Sequence, residues 1–157
     1  MSATPPRPRL LVVHHTQSGR TGQLAAAVLR GAARCGDTTT LGLRAHEAGV
    51  DDLLACQGLL VGTPENFGYM SGMLKDFFDR TYYPCEGKLG GLPFAIFISA
   101  GNDGSGAVRE IRRIATGYGW KEVAEPFIAR GEPTADALAH CEELGEAMAT
   151  GVGLSLF

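Results

Sequence analysis

Three hydroxyl side chains surround one glycine directly before the first predicted helix. They belong to Thr16, Ser18 and Thr21, and the glycine is Gly19. Hydroxyl groups and free backbone amides at a helix N-terminus bind phosphate, and the helix dipole favours the anion. A plain N-cap also uses serine or threonine, but it needs only one. The G-x-x-x-x-G-K-[ST] pattern and its lysine are missing here, so we expect a phosphomonoester rather than a nucleoside triphosphate.

Two further segments are rich in glycine and in polar residues. One spans Gly62–Gly72 and the other spans Ser99–Gly106, and each begins directly after the end of an apolar run. In an open parallel sheet, ligands bind beyond the carboxyl ends of the strands, where the strand order reverses. We therefore expect these two segments and the hydroxyl-rich segment to form one ligand site.

The elements that position this site are apolar runs separated by segments of helical spacing. The predicted strands are Thr38–Leu43, Val123–Ala129 and the runs Leu10–Val13, Gly58–Val61 and Phe94–Ile98. Runs without polar alternation are typical of a parallel sheet that helices cover on both faces. Pro126 favours an edge position for the last strand, because proline cannot donate to a ladder. Alternation of five strands with about five helices predicts an α/β three-layer sandwich.

Length and charge limit the class of protein. The 157 residues fit one domain, which we place at 9–157 behind a disordered leader at 1–8. The chain has 14 basic and 17 acidic residues, a net charge of −3, so nothing supports a nucleic-acid partner. The first apolar run is too short for a signal peptide or a membrane span. We expect a cytoplasmic protein without membrane insertion.

The cysteines do not suggest a metal site or a disulfide framework. Cys35, Cys56, Cys85 and Cys141 lie far apart, and no C-x-x-C pair is present. No histidine stands at the spacing that zinc ligands require. We therefore expect reduced thiols and no bound metal.

The three loops together resemble those of a flavoprotein family. The pattern T-x-S-G-x-T after the first strand is similar to the phosphate loop of flavodoxin-like proteins. The stretch GTPENFGYMSGMLKDFFDR, Gly62 to Arg80, resembles the flavodoxin-like NAD(P)H-dependent FMN reductase and quinone reductase families. SAGNDGSG, Ser99 to Gly106, stands where their third flavin loop lies, and ARGEP at 129–133 is also similar. The resemblance implies a flavodoxin-like, five-stranded parallel sheet of order 2-1-3-4-5.

The same resemblance implies FMN as the cofactor and assigns three groups of residues to it. The phosphate group would be bound by Thr16, Gln17, Ser18, Gly19, Arg20 and Thr21. One side of the ribityl chain and ring would contact Thr63, Pro64, Glu65, Asn66, Phe67 and Gly68. The other side would contact Ser99, Ala100, Gly101, Asn102, Asp103 and Gly106. No catalytic side chain is expected, because the flavin carries the chemistry.

The resemblance implies an FMN-containing oxidoreductase that takes hydride from NAD(P)H and reduces a flavin, quinone or similar small-molecule acceptor. The alternative is a flavodoxin-type electron carrier with a protein partner. Such carriers typically stack aromatic residues on both ring faces, whereas Ser99–Gly106 contains no aromatic residue. An open ring face favours the reductase, and a homodimer or tetramer would cover an exposed flavin. A receiver-type signalling module is disfavoured, because His14, His15 and Thr63 stand where it needs acidic residues and an aspartate.

Some of these residues also fit purely structural roles. Phe67 fits the hydrophobic core as well as it fits the flavin ring, and Tyr69 fits the core better. Asn102 and Asp103 lie in a glycine-rich loop, where side chains of this type also form Asx-turns. Both interpretations stay open at the level of the sequence.

Overall fold

One parallel sheet of six strands forms the centre of the computed structural model, which describes residues 4–157. The strands are β1 (Arg9–His14), β2 (Thr39–Arg44), β3 (Gly58–Pro64), β4 (Pro93–Ala100), β5 (Lys121–Glu122) and β6 (Phe127–Arg130). Their order is β2-β1-β3-β4-β5, and β6 also pairs with β4. Each of these pairings is parallel. The predicted fold class and sheet order are confirmed.

Five helices cover the two faces of the sheet within the described residues. They are α1 (Arg20–Ala32), α2 (Val50–Ala55), α3 (Gly72–Cys85), α4 (Ser105–Tyr118) and α5 (Ala135–Gly153). Leu10 and Val12 of β1 face a core shared with α1 and α5. Leu11 and Val13 face a second core shared with α2, α3 and α4. All four side chains are fully buried, so the apolar run is a strand enclosed on both sides, as its composition predicts.

The strand register places the ends of β1, β3 and β4 at the same edge of the sheet. His14 pairs with Gly62, and Pro64 pairs with Ser99. The segments that follow these strands are residues 15–19, 65–71 and 101–104, and we call them loop 1, loop 2 and loop 3. Because all three strands are parallel, their loops lie side by side.

The fifth predicted strand is divided in two. Instead of one strand over Val123–Ala129, β5 pairs with the beginning of β4 and β6 pairs with its end. Residues 123–126 between them are not in a strand. Pro126 ends this interruption, and it lacks the N–H that a ladder needs. The two short strands together occupy the position beside β4 that the sequence assigns to one.

The predicted disordered leader is only partly covered by the structure. Its residues 1–3 lie outside the described residues, and residues 4–8 form neither helix nor strand. The Pro8 carbonyl accepts a hydrogen bond from the Thr39 amide at 2.9 Å, which fixes the start of β1. Disorder before that point stays a prediction. None of the helices between residues 4 and 157 has the length and apolarity that crossing a bilayer requires.

Candidate functional site

Loop 1 leads into a helix whose first amides are not capped by a side chain of the described chain. Gly19 precedes α1 with a φ of +97°, a left-handed conformation that suits glycine. Thr16 Oγ1 accepts a hydrogen bond from the Gly19 amide at 3.2 Å and so shapes the loop itself. Ser18 is exposed. Free amides, the helix dipole and this exposed hydroxyl together suit a phosphate group.

Thr21, the third predicted hydroxyl, is turned into the protein. It is 1% exposed and Ser99 is 4% exposed, and their hydroxyl oxygens lie 2.6 Å apart in a hydrogen bond. This bond ties the first turn of α1 to the end of β4. A hydroxyl can donate one hydrogen bond and accept two, so Thr21 still has hydrogen-bonding capacity beyond its bond to Ser99.

Arg44 places a positive charge beside loop 1. It ends β2 next to His14, and its Nη2 donates to the Thr16 carbonyl at 3.3 Å. Burial, and then the charge of Arg44, lower the pKa of His14 to about 4. The same two causes lower the pKa of His15. Both imidazoles are therefore neutral near pH 7, and Arg44 supplies the charge at this end of the site.

Thr63 holds the two ends of loop 2 together. It is fully buried, and its hydroxyl donates to the Pro64 carbonyl at 2.9 Å. The same oxygen accepts a hydrogen bond from the Ser71 amide at 2.9 Å. Ser71 in turn caps α3 by accepting from the Leu74 amide at 3.2 Å. Thr63 therefore supports the shape of the loop from below.

The tip of loop 2 is a tight turn with an aromatic residue at its centre. Asn66 and Tyr69 exchange two backbone hydrogen bonds, of 2.8 and 2.9 Å. Between them Phe67 has a φ of +53° and Gly68 a φ of +71°, which is the pattern of a type I′ turn. A bulky residue is rarely found at positive φ, and the Phe67 side chain is fully exposed. Tyr69 packs against the core, as its structural interpretation predicts.

Loop 3 is held from within and from β6. The Ser105 hydroxyl donates to the Asp103 carboxylate, so the Asp103 contact is local. Arg130 Nε donates to the Asn102 carbonyl at 2.7 Å, and the rest of Asn102 is exposed. Gly104 precedes α4 with a φ of +86°, again the left-handed region that glycine tolerates.

Side-chain hydrogen bonds join the three loops into one edge. Asn66 Nδ2 donates to Gln17 Oε1 at 2.8 Å, which links loop 2 to loop 1. The Glu65 carboxylate accepts from three amides at the start of α4, which links loop 2 to loop 3. Near them, Arg20 Nε lies 3.0 Å from a Glu132 carboxylate oxygen. The candidate residues of all three loops are therefore neighbours, as the sheet order predicts.

The candidate residues divide into an outward and an inward group. Those exposed at the loops are Gln17, Ser18, Phe67, Gly68, Gly101, Asn102 and Asp103. Those buried beneath them are Thr21, Thr63, Ser99, Ala100 and Gly106. The remaining candidates, which are partly exposed, are Thr16, Gly19, Arg20, Pro64, Glu65 and Asn66. Their roles toward a cofactor stay predictions.

Arg44 and Arg130, two arginines that bond to the backbone of loop 1 and loop 3, were not singled out from the sequence. Arg44 ends the strand beside β1, so its position could have been derived once the order 2-1-3 was assumed. Arg130 ends β6 beside Ala100 of β4, and it lies inside the ARGEP segment that the resemblance already included. In both cases the signal is a cation at the carboxyl end of a strand next to a loop of the site.

A comparison with family models matches residues 11–134, most of the chain, to the NADPH-dependent FMN reductase family. A flavodoxin from Aquifex aeolicus is 34% identical over 98 residues, which are 62% of this chain and 53% of that protein. An NAD(P)H dehydrogenase (quinone) from Acidithiobacillus ferrooxidans is 31% identical over 119 residues, 62% of this chain and 60% of that protein. The chain thus spans little more than half the length of these relatives.

Solved structures agree on the fold. A flavodoxin from Archaea superimposes with a TM-score of 0.79 at 22% identity, covering 92% of this chain and 98% of that chain. A WrbA-like flavodoxin from Agrobacterium tumefaciens gives a TM-score of 0.76 at 22% identity, covering 94% and 98%. Identities this low establish a flavodoxin-like fold and nothing more. Together with the family match, the chain belongs to the NADPH-dependent FMN reductase family.

Proposed function

We propose that this chain binds FMN at loops 1, 2 and 3, takes hydride from NAD(P)H and passes it to a quinone, a flavin or a similar small acceptor. The observation that carries the proposal is the uncapped start of α1 beside two glycine-rich loops. A phosphate site and a slot for a flat ring then lie at the same edge of the sheet, where open α/β sheets bind their ligands.

The phosphate end fits the donor set of loop 1. Ser18 would donate its exposed hydroxyl, and the amides at the start of α1 would donate from the backbone. Thr21 would donate its one hydroxyl proton to the phosphate and accept the hydrogen bond from Ser99. Arg44 adds positive charge beside loop 1, whereas the charge of Arg20 is paired with Glu132. A phosphate dianion is favoured by the hydroxyls, the amides and the charge of Arg44.

The ring end fits loops 2 and 3. Phe67 offers an exposed aromatic surface at the turn, and the backbone of residues 65–68 and 101–103 offers amides. Backbone donors of this kind stabilise negative charge on a reduced isoalloxazine, which is the protein's main means of tuning a flavin. When bound, FMN supplies the chemistry by accepting and releasing two electrons with a proton. The chain itself orients the ring and leaves one face accessible.

A flavodoxin-type carrier is the second candidate, because the Aquifex aeolicus relative carries the name flavodoxin. The composition of loop 3 favours the reductase, since residues 99–106 contain no aromatic residue that could cover the second ring face. An uncovered face admits a nicotinamide or a quinone. Cytoplasmic location and a homodimer or tetramer stay predictions.

Anaerobic mixing of the FMN-loaded protein with NADPH, and separately with NADH, tests the proposal. We expect at least one of them to bleach the flavin absorbance directly, and a quinone to restore it over many turnovers. FMN should also bind more tightly than riboflavin or FAD, because loop 1 offers a terminal phosphate site. A protein that binds FMN but is reduced by neither nicotinamide is a carrier. A protein that does not bind FMN contradicts both functions.

A further inference from the structure

The start of α4 is capped by a residue from a different loop. Glu65 Oε1 accepts a hydrogen bond from the Gly104 amide at 2.9 Å. Its Oε2 accepts from the Gly106 amide at 3.0 Å and from the Ala107 amide at 3.2 Å. A carboxylate at a helix N-terminus is stabilised by the unpaired amides and by the helix dipole. All three bonds run between loop 2 and the beginning of α4.

Two other helices, α3 and α5, are capped locally. Ser71 caps α3 from the position before the helix, and Thr134 does the same for α5. The corresponding residue of α4 is Gly104, which has no side chain. The neighbouring Asp103 carboxylate accepts from the Ser105 hydroxyl instead. A local cap is sufficient to stabilise a helix, so a cap that comes from loop 2 has the additional effect of joining two loops.

The backbones of the same two segments are in direct contact. A Cβ placed on Gly106 would lie 2.1 Å from the Gly68 carbonyl oxygen, so only glycine permits this approach. The Glu65 amide also donates to the Ser99 carbonyl at 2.9 Å, which joins loop 2 to the end of β4. Side-chain and backbone contacts thus fix one separation between loop 2 and loop 3.

We propose that Glu65 is a positioning residue for the flavin ring. It holds residues 65–68 at a fixed position against the start of α4, and its carboxylate is directed at the α4 amides and not at the ring. This inference rests on the proposed function, since it assumes that the slot receives the isoalloxazine. The negative charge of Glu65 stabilises the start of α4, and the FMN phosphate is bound by loop 1.

The test compares Glu65→Gln with a matched control, Asp52→Asn. Glutamine keeps the size of the side chain, but its amide nitrogen cannot accept from a backbone N–H. Asp52 Oδ2 accepts from the Gly49 amide at 2.9 Å at the start of α2, so the control removes a carboxylate charge from a helix start that lies away from the loops. Glu65→Asp keeps the charge on a shorter side chain. Each variant is measured for melting temperature, and for Kd with FMN and with riboflavin.

For Glu65→Gln we expect both Kd values to rise by about tenfold, or about 1.4 kcal/mol, with the FMN-to-riboflavin ratio unchanged. Asp52→Asn should lower the melting temperature without changing either Kd. Glu65→Asp should recover part of the affinity. If Glu65→Gln does not fold, the Kd values of Glu65→Asp decide the question, and unchanged values overturn the inference.

Two other results have distinct meanings. If Glu65→Gln binds both ligands as the wild type does, Glu65 only stabilises α4 and the inference is wrong. If the wild type itself binds neither FMN nor riboflavin, the proposed function fails, and the inference that rests on it fails as well. A rise confined to the Kd of FMN would also overturn the inference, because it would place Glu65 at the phosphate.

Discussion

Replacing Phe67 by asparagine should stabilise the folded chain and weaken flavin binding at the same time. Phe67 has a φ of +53°, and a left-handed conformation costs an ordinary L-residue about 1–2 kcal/mol. Asparagine adopts this conformation more readily and is favoured in type I′ turns. The Phe67 side chain is fully exposed, so its removal sacrifices little buried surface. We expect the free energy of unfolding to rise by about 0.5–1 kcal/mol, or about 1–4 °C in Tm.

Phe67→Asn should weaken flavin binding, although it stabilises the fold. If Phe67 lies against the flavin ring, the substitution removes an aromatic contact of about 0.5–1.5 kcal/mol. The Kd values for FMN and for riboflavin should then both rise by about two- to twelvefold. Thermal unfolding of the ligand-free protein measures the first effect, and titration followed by flavin fluorescence measures the second.

Ser155→Asn is the matched control. Ser155 also has a φ of +53°, and it lines a cavity with Pro8 and Pro93, at the edge of the sheet opposite the loops. We expect this variant to change stability without changing either Kd. A lower Tm for Phe67→Asn would refute the strain reasoning. A higher Tm with unchanged Kd values would place Phe67 away from the ring.

Two further predictions concern loop 1 and the residue beneath it. Ser18→Ala removes an exposed hydroxyl, and the loss of a hydrogen bond to a charged group, about 1.5–3 kcal/mol, should raise the Kd of FMN by about ten- to hundredfold. Riboflavin affinity should not change, and an equal loss for both ligands would make the loop structural. The pKa of His14 is lowered from 6.5 to about 4, so the unfolded chain binds this proton more readily. His14 therefore does not reduce the stability of the fold above pH 6.5. As the pH falls from 6.5 toward 4, stability is lost, because the unfolded chain binds a proton at His14 that the folded chain does not. His14→Asn should therefore flatten the Tm profile over this interval, and a profile identical to the wild type would contradict the assignment.

The sequence was sufficient for the central strands because their signals are local, whereas the strand order came from the family resemblance. The run Leu10–Val13 is apolar at every position, which is what burial on both faces requires. The hydroxyls around Gly19 mark the start of α1 in the same local way. Even the broken fifth strand had a local signal in Pro126, although the sequence alone did not show where the strand would be interrupted.

The contacts that assemble the site are not local, and the sequence did not reveal them. Thr21 and Ser99 are separated by 78 positions, and Glu65 is separated from Gly106 by 41 positions. No pattern along the chain distinguishes a threonine that faces a ligand from one that bonds to a buried serine. Arg44 was missed for the same reason, since its partner in loop 1 lies 28 positions away.

These long-range contacts decide which groups of the loops are free to contact a flavin ring. The polar side chains of Thr63, Ser99 and Asp103 are already bonded within the protein, so a ring between loops 2 and 3 would meet mainly backbone amides. Among substitutions only proline removes a backbone N–H, and otherwise the amide moves only when its loop moves. The residues that tune a bound flavin should therefore be those that hold the loops, Glu65 for the start of α4 and Arg130 for Asn102. Exposed side chains such as Phe67 should affect affinity more than they affect the redox potential.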